Sequence, residues 1–186
     1  MSERQYGKLE DIRKDHVARY KFAAKMLPEG QEIIDAACGC GYGSYILAQA
    51  GHTVFAFDGS PEAIAYGKSF YRHPRIEYKE AQFPCILPMV NVAISFETLE
   101  HLAQPIEFLE ELRLSAVRLI ISVPNQEKLP FSEKRFPFHF RHYTKAEFEE
   151  ILNKTGWKVK AWYGQESAYS DVAEGVNGRT LIADCE

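Results

Sequence analysis

Ile33-Ile34-Asp35-Ala36-Ala37-Cys38-Gly39-Cys40-Gly41-Tyr42-Gly43-Ser44 joins an apolar run to a glycine-rich turn and then to a helical pattern. The first residues predict a short buried strand, and Gly39, Gly41 and Gly43 a turn whose backbone a ligand can approach without meeting side chains. Tyr45 to Ala50 continues as a helix that stops at Gly51. In an open α/β sheet such a strand-to-helix turn stands at the carboxyl edge of the strands, where ligands bind.

The next strand narrows the ligand. Val54 to Phe57 ends in Asp58, and an ionised carboxylate accepts hydrogen bonds from both hydroxyls of a ribose diol. Asp58 also suits a turn or a helix cap before Ser60-Pro61-Glu62, and the two roles are compatible. A dinucleotide fingerprint needs Gly or Ala three residues after its second Gly, so that helix and strand pack closely. Counted from Gly39 and Gly41, that position is Ser44, which fits poorly and points to a different adenosine cofactor.

The stretch from Asp35 to Gly43 resembles motif I of the class I S-adenosylmethionine-dependent methyltransferases, with Ala37 where that family more often has its first Gly. The resemblance covers nearly the whole chain. His16 to Leu27 is similar to the family's leading helix, and Ile76 to Phe83 to its third strand with the Ala81-Gln82-Phe83 turn. Val92 to Phe96, Arg118 to Val123, Trp157 to Tyr163 and Arg179 to Asp184 supply the remaining strands. The resemblance implies an α/β, Rossmann-like, doubly wound, seven-stranded sheet with the last strand antiparallel, in three α/β/α layers. It also implies S-adenosylmethionine as cofactor and S-adenosylhomocysteine as product. Asp35, Ala37, Cys38, Gly39, Gly41 and Gly43 would surround the methionine portion, with Asp58, Gly59 and Ser60 at the ribose and Gln82 and Phe83 at the adenine. Phe96 and Glu97 would border the cofactor. Asn91 departs from the Asp common in relatives before the fourth strand and is assigned no function.

Composition agrees with one globular domain over residues 1–186, since 186 residues with 46% hydrophobic and 26% charged side chains can bury a full core. Within it, residues 1–30 form an N-terminal helical cap and residues 125–143 an acceptor-side loop. No apolar run reaches the roughly eighteen residues a membrane span needs. The N-terminus carries Glu3, Arg4, Lys8, Glu10, Asp11, Arg13 and Lys14 and lacks an apolar signal core, so a cytoplasmic location is expected. Cys38, Cys40, Cys85 and Cys185 match neither a zinc knuckle nor a disulfide framework and read as thiols. The formal net charge is −4 with no basic run, and Lys154, Lys158 and Lys160 read as a solvated strand edge. A small-molecule or glycan-like acceptor is therefore favoured over nucleic acid.

Strand and helix patterns alternate without repeats, as in a doubly wound sheet. A helix is expected from Gln104-Pro105, with Phe108, Leu109 and Leu112 buried and Glu107, Glu110 and Glu111 solvated. Another spans Thr144 to Gly156, with Thr144 and Glu147 as a capping box and Phe148, Ile151 and Leu152 inward. The connection Asn125 to Tyr143 is long, and long loops are often functional.

Chemistry is placed in Phe96-Glu97-Thr98-Leu99-Glu100-His101-Leu102 and that long loop. A helical turn over 97–101 would project Glu97, Glu100 and His101 from one side, and His139 or His142 would complete a divalent-cation site. This element resembles the metal-assisted O-methyltransferases, among them the ubiquinone-biosynthesis enzymes and the small-RNA 3′-end 2′-O-methyltransferases. Aligned on Thr144, His139 matches the RNA enzymes' ligand, which makes Glu97, Glu100, His101 and His139 the implied metal set. In that subset the ion holds two neighbouring substrate oxygens, and Mg²⁺, Mn²⁺, Fe²⁺ and Zn²⁺ all suit mixed carboxylate and imidazole ligands. Without a metal, His101 or His139 would take the hydroxyl proton directly. His142, His52, His73 and His16 read as structural or exposed. Phe131, Phe136, Phe138, Phe140 and Tyr143 suit an aromatic cover, with Lys134, Arg135 and Arg141 at an acidic group. The alternatives are a metal-independent N-, C- or O-methyltransferase and a non-catalytic S-adenosylmethionine-binding protein.

Overall fold

The computed structural model describes residues 5–186; Glu3, Arg4 and the first four residues of the 1–30 cap lie outside them. The apolar run before the glycine turn is β1 (Glu32–Ala36), and Ile33, Ile34 and Ala36 are all fully buried, as a central strand covered on both faces requires. It pairs in parallel with β2 (Thr53–Asp58) on one side and with β4 (Val90–Phe96) on the other. The order reverses at β1, and the carboxyl edge beside such a reversal is where open sheets bind ligands.

The sheet continues outward through β3 (Ile76–Glu80) beyond β2, and through β5 (Ala116–Pro124) beyond β4. After β5 come β8 (Thr180–Cys185), antiparallel to both neighbours, and β6 (Val159–Gln165). A two-residue strand β7 (Ala173–Glu174) adds to the edge of β6 and makes eight strands where seven were expected. Two residues carry no readable alternation, so this strand leaves no mark in the sequence.

Helices cover both faces. α1 (Lys14–Met26), α2 (Tyr42–Gln49) and α3 (Pro61–Phe70) place Tyr20, Ala23, Leu47 and Ile64 in one core with Ile33, Val54 and Ile94. On the other face α4 (Pro105–Ser115) and α5 (Lys145–Lys154) bury Phe108, Leu109, Leu112, Phe148 and Leu152 around Trp157, whose indole Nε1 donates to the Leu109 carbonyl at 3.0 Å. Among the described residues no helix is long and apolar enough to cross a membrane.

Three local details position the site. Pro105 opens α4 as its first residue, but Glu111 does not join the solvated face: its carboxylate accepts from the Cys85 amide and ties down the 81–89 connection. The capping box at α5 forms, with Thr144 Oγ1 accepting from Glu147 N at 3.2 Å and Glu147 Oε2 accepting from Thr144 N at 2.8 Å. The helical turn expected over 97–101 is shorter: Glu97 has φ 54°, and only Leu99–His101 forms a 3-10 turn. A left-handed residue cannot belong to a right-handed turn, so Glu97 leaves the face that Glu100 and His101 share.

Candidate active site

A cavity of about 860 Å³ opens along the carboxyl edge of the parallel strands, within the usual range for small-molecule sites. Ala37, Cys38, Gly39, Asp58, Gly59 and Ser60 line one end, Gln82 and Phe83 its flank, and Phe96 and Glu97 its floor. The turn is held open by backbone geometry. Gly39 and Gly41 have φ 56° and 86°, and a Cβ on Gly41 would lie 2.5 Å from the Tyr78 hydroxyl. Ala37 adopts φ 65° without being glycine, a conformation that costs an L-residue about 1–2 kcal/mol.

Asp58 organises the turn. Its Oδ2 accepts from Gly39 N at 2.9 Å and its Oδ1 from Ser60 N at 2.8 Å. It thereby orients the turn backbone and the start of α3, where Ser60 caps Ala63 N at 3.2 Å. A carboxylate accepts up to about four bonds, so the turn role and the ribose role fit one side chain. Asp35 sits behind the cavity instead. It is fully buried, and Tyr20 Oη and Ser44 Oγ donate to its two oxygens at 2.9 and 2.6 Å. Burial pushes its carboxyl up to about 6, against the opposing pull of those hydroxyls. Gly41 and Gly43 also lie outside the cavity wall, and a Cβ on Gly43 would stand 2.1 Å from the Tyr20 ring.

At the far end the long loop folds over the 3-10 turn. A bridge between Asn125 and Tyr143 closes the loop at its base, and Phe140 N donates to the Glu100 carbonyl at 2.7 Å. Glu100, His101 and His139 present carboxylate and imidazole atoms within 4.8 Å of one another, and Glu100 is fully buried. The His101 and His139 rings meet edge to face at 4.5 Å, with Phe136 stacked on His139 at 5.1 Å. His101 Nδ1 lies 2.9 Å from the Phe138 carbonyl, which can only accept. The proton of a neutral His101 therefore sits on Nδ1, leaving Nε2 as the lone-pair nitrogen. One buried carboxylate and two imidazoles are a donor set that fits a divalent cation.

Residues 9–161 match the model of the methyltransferase domain family. The chain belongs to the methyltransferase domain family. It is 30% identical to a Mycolicibacterium smegmatis protein named "Probable S-adenosylmethionine-dependent methyltransferase", over 73% of this chain and 55% of that one. A like-named Mycobacterium tuberculosis protein is 32% identical over 72% of this chain and 51% of its own length. The chain thus spans about half the length of the curated relatives it matches. Among solved structures it superposes on the magnesium protoporphyrin IX methyltransferase of Synechocystis with bound S-adenosylhomocysteine. The TM-score is 0.68 at 17% identity, covering 97% of this chain and 88% of that one.

Within this methyltransferase domain the cavity brings together most of the residues expected from the sequence and separates some. Glu97 borders the cavity, but its Oε1 accepts from Ser122 Oγ at 2.9 Å and it stands apart from the Glu100, His101 and His139 group. Phe136 and Phe138 reach the cavity wall, whereas Tyr143 packs into the core below. Arg13, Asp15 and His16 from the start of α1, with Ser167 just after β6 and Arg179 and Thr180 at the start of β8, also line the cavity. No local pattern marks them, because the chain brings them there only through α1 and the reversal into β8. Burial with Arg19 and Arg13 nearby holds His16 well below the ordinary imidazole range, so it is neutral at physiological pH.

Proposed function

We propose that this chain is an S-adenosylmethionine-dependent methyltransferase acting on a hydroxyl of a small-molecule or glycan-like acceptor, with a divalent cation assisting. The observation that carries this reading is one cavity with a glycine turn and Asp58 at one end and Glu100, His101 and His139 at the other. The turn would hold the methionine portion, Asp58 the ribose, and Gln82 and Phe83 the adenine. S-adenosylmethionine supplies a methyl group already activated by its sulfonium. The protein's remaining task is to aim an oxygen at that methyl and make it nucleophilic near neutral pH. A divalent ion, when bound, lowers a hydroxyl's pKa and fixes its position, and Glu100, His101 and His139 are the residues that would hold it. Phe136 and Phe138 offer apolar surface to a planar or sugar-like acceptor, and Lys134, Arg135 and Arg141 on the loop suit an acidic group on it. The thiol state of all four cysteines suits a reducing cytoplasm.

A metal-independent reading is favoured by the engagement of Glu97 with Ser122, which leaves three of the four expected ligands together. In that case His101 or His139 takes the acceptor proton. Calorimetric titration of Mg²⁺, Mn²⁺ and Zn²⁺ into metal-stripped protein saturated with S-adenosylhomocysteine separates the two. Stoichiometric binding that His139→Ala weakens at least tenfold is expected. An absence of binding by all three ions would leave only the metal-independent reading.

A further inference from the structure

His142, read from the sequence as structural or exposed, is buried and joins His139 to the loop backbone. Its Nδ1 lies 2.6 Å from the Leu129 carbonyl, and its Nε2 lies 2.8 Å from His139 Nδ1. A carbonyl oxygen only accepts, so the proton of a neutral His142 must sit on Nδ1. Its Nε2 is then an acceptor, and the short contact to His139 is satisfied only if His139 Nδ1 carries a proton. The consequence passes along the chain of bonds: a neutral His139 has its lone pair on Nε2. His101 reaches the same tautomer independently through the Phe138 carbonyl.

We propose that His142 is a positioning residue that relays the direction of the Leu129 carbonyl to His139, fixing His139 as the Nδ1–H tautomer with Nε2 as the lone-pair nitrogen it brings to the group it forms with Glu100 and His101. The inference rests on the reading of Glu100, His101 and His139 as the acceptor-side site, and it assigns that site a fixed donor set. Ring rotation is restricted as well. Phe136 stacks on His139 at 5.1 Å and tilts against His142 at 4.5 Å, while Phe131 flanks His142 at 5.6 Å. His139 thus presents one nitrogen in one orientation before any ligand arrives, whether that nitrogen takes a metal or a proton. Hydrogen bonds of this kind behind a ligating imidazole typically govern about 10–100-fold in metal affinity.

Leu129 belongs to the same 125–143 loop as both histidines, and its backbone N–H is tied to the base of that loop. Asn125 anchors the loop's first turn, with Leu129 N donating to the Asn125 carbonyl at 2.7 Å. The Asn125 side chain donates to Asn177 Oδ1 and the Gly178 carbonyl, both at 2.8 Å. The loop that carries the relay is thus anchored on the segment leading into β8, and it holds both His139 and the residue that orients it.

The test uses the full chain labelled with ¹⁵N-histidine and free of metal, at about pH 8, above the usual imidazole range. Long-range ¹H–¹⁵N spectra report the tautomer of each ring directly. His139 is expected as the Nδ1–H form in the unsubstituted protein. His142→Leu should shift it toward the Nε2–H form that free histidine prefers, and His142→Gln should restore it. A glutamine amide can accept from His139 while donating to the Leu129 carbonyl. Thermal unfolding of both variants checks that the fold survives. Mn²⁺ titration of S-adenosylhomocysteine-loaded protein should show affinity lowered about 10–100-fold in His142→Leu and largely recovered in His142→Gln. Finding His139 as Nε2–H in the unsubstituted protein, or as Nδ1–H regardless of residue 142, overturns the relay. The predicted tautomers without Mn²⁺ binding would uphold the relay and remove the metal from the site.

Discussion

Asp35 shows how a residue legible in the sequence acquires a different place in the fold. Its position after an apolar run marks the start of the glycine turn, but the carboxylate faces Tyr20 and Ser44 behind the turn. It links α1 and α2 to β1 and so braces the backbone around the turn. Its pKa, raised to about 6 by burial, lies above that of an unfolded aspartate. Between about pH 4 and pH 6 the native state therefore holds the extra proton, and Asp35's contribution to stability declines as pH rises through that window. The loss amounts to at most about 3 kcal/mol for two pKa units. Denaturant unfolding of wild type and Asp35→Asn at several pH values is expected to show wild type losing ground relative to the variant from pH 4 to 7. A difference that stays flat would contradict the assignment. Glu97 illustrates the opposite case. Spacing placed it on one helical face with Glu100 and His101, and nothing local announced that the end of β4 would put it at φ 54°. His142 escaped for a related reason. Its role depends on a carbonyl thirteen residues away, which no spacing rule contains.

At the scale of elements, legibility followed the strength of the local signal. Pro105 at the start of α4 and the Thr144 and Glu147 pair at α5 act through neighbours within one turn, and the structure has both. The two-residue β7 and the engagement of Glu111 depend on distant backbone and were not readable. The α5 cap matters to the site because the 125–143 loop ends there: Tyr143 N donates to the Pro124 carbonyl at 3.2 Å, and Gln126 N to the Tyr143 carbonyl at 2.8 Å, immediately before the cap. Thr144→Ala is expected to lower stability by about 1 kcal/mol, the usual loss for an N-cap side chain. Because the loop base adjoins the cap, hydrogen exchange at the Gln126 and Tyr143 amides should accelerate as well. A stability loss without faster exchange at those amides would mean that the cap and the loop are energetically separate.

For the whole molecule, the order β3-β2-β1-β4-β5-β8-β6-β7 puts the glycine turn after β1 and the Glu100 and His101 turn after β4 side by side, across the point where strand order reverses. About sixty residues of sequence separate them, but β1 and β4 are hydrogen-bonded neighbours. Alternation of apolar strands and helices pointed to a doubly wound sheet but not to that adjacency, and the α1 and β8 residues that complete the cavity lie far from both turns in the sequence. On the proposed function, this cavity holds the adenosine cofactor, with Asp58 at its ribose. Calorimetric titration of S-adenosylhomocysteine into wild type and Asp58→Ala tests it most directly, with thermal unfolding as the check on folding. One-to-one binding by wild type is predicted, weakened about 30–100-fold in the folded variant, as loss of charge-assisted hydrogen bonds to two hydroxyls implies. No binding by wild type, or equal binding by a folded Asp58→Ala, would contradict it.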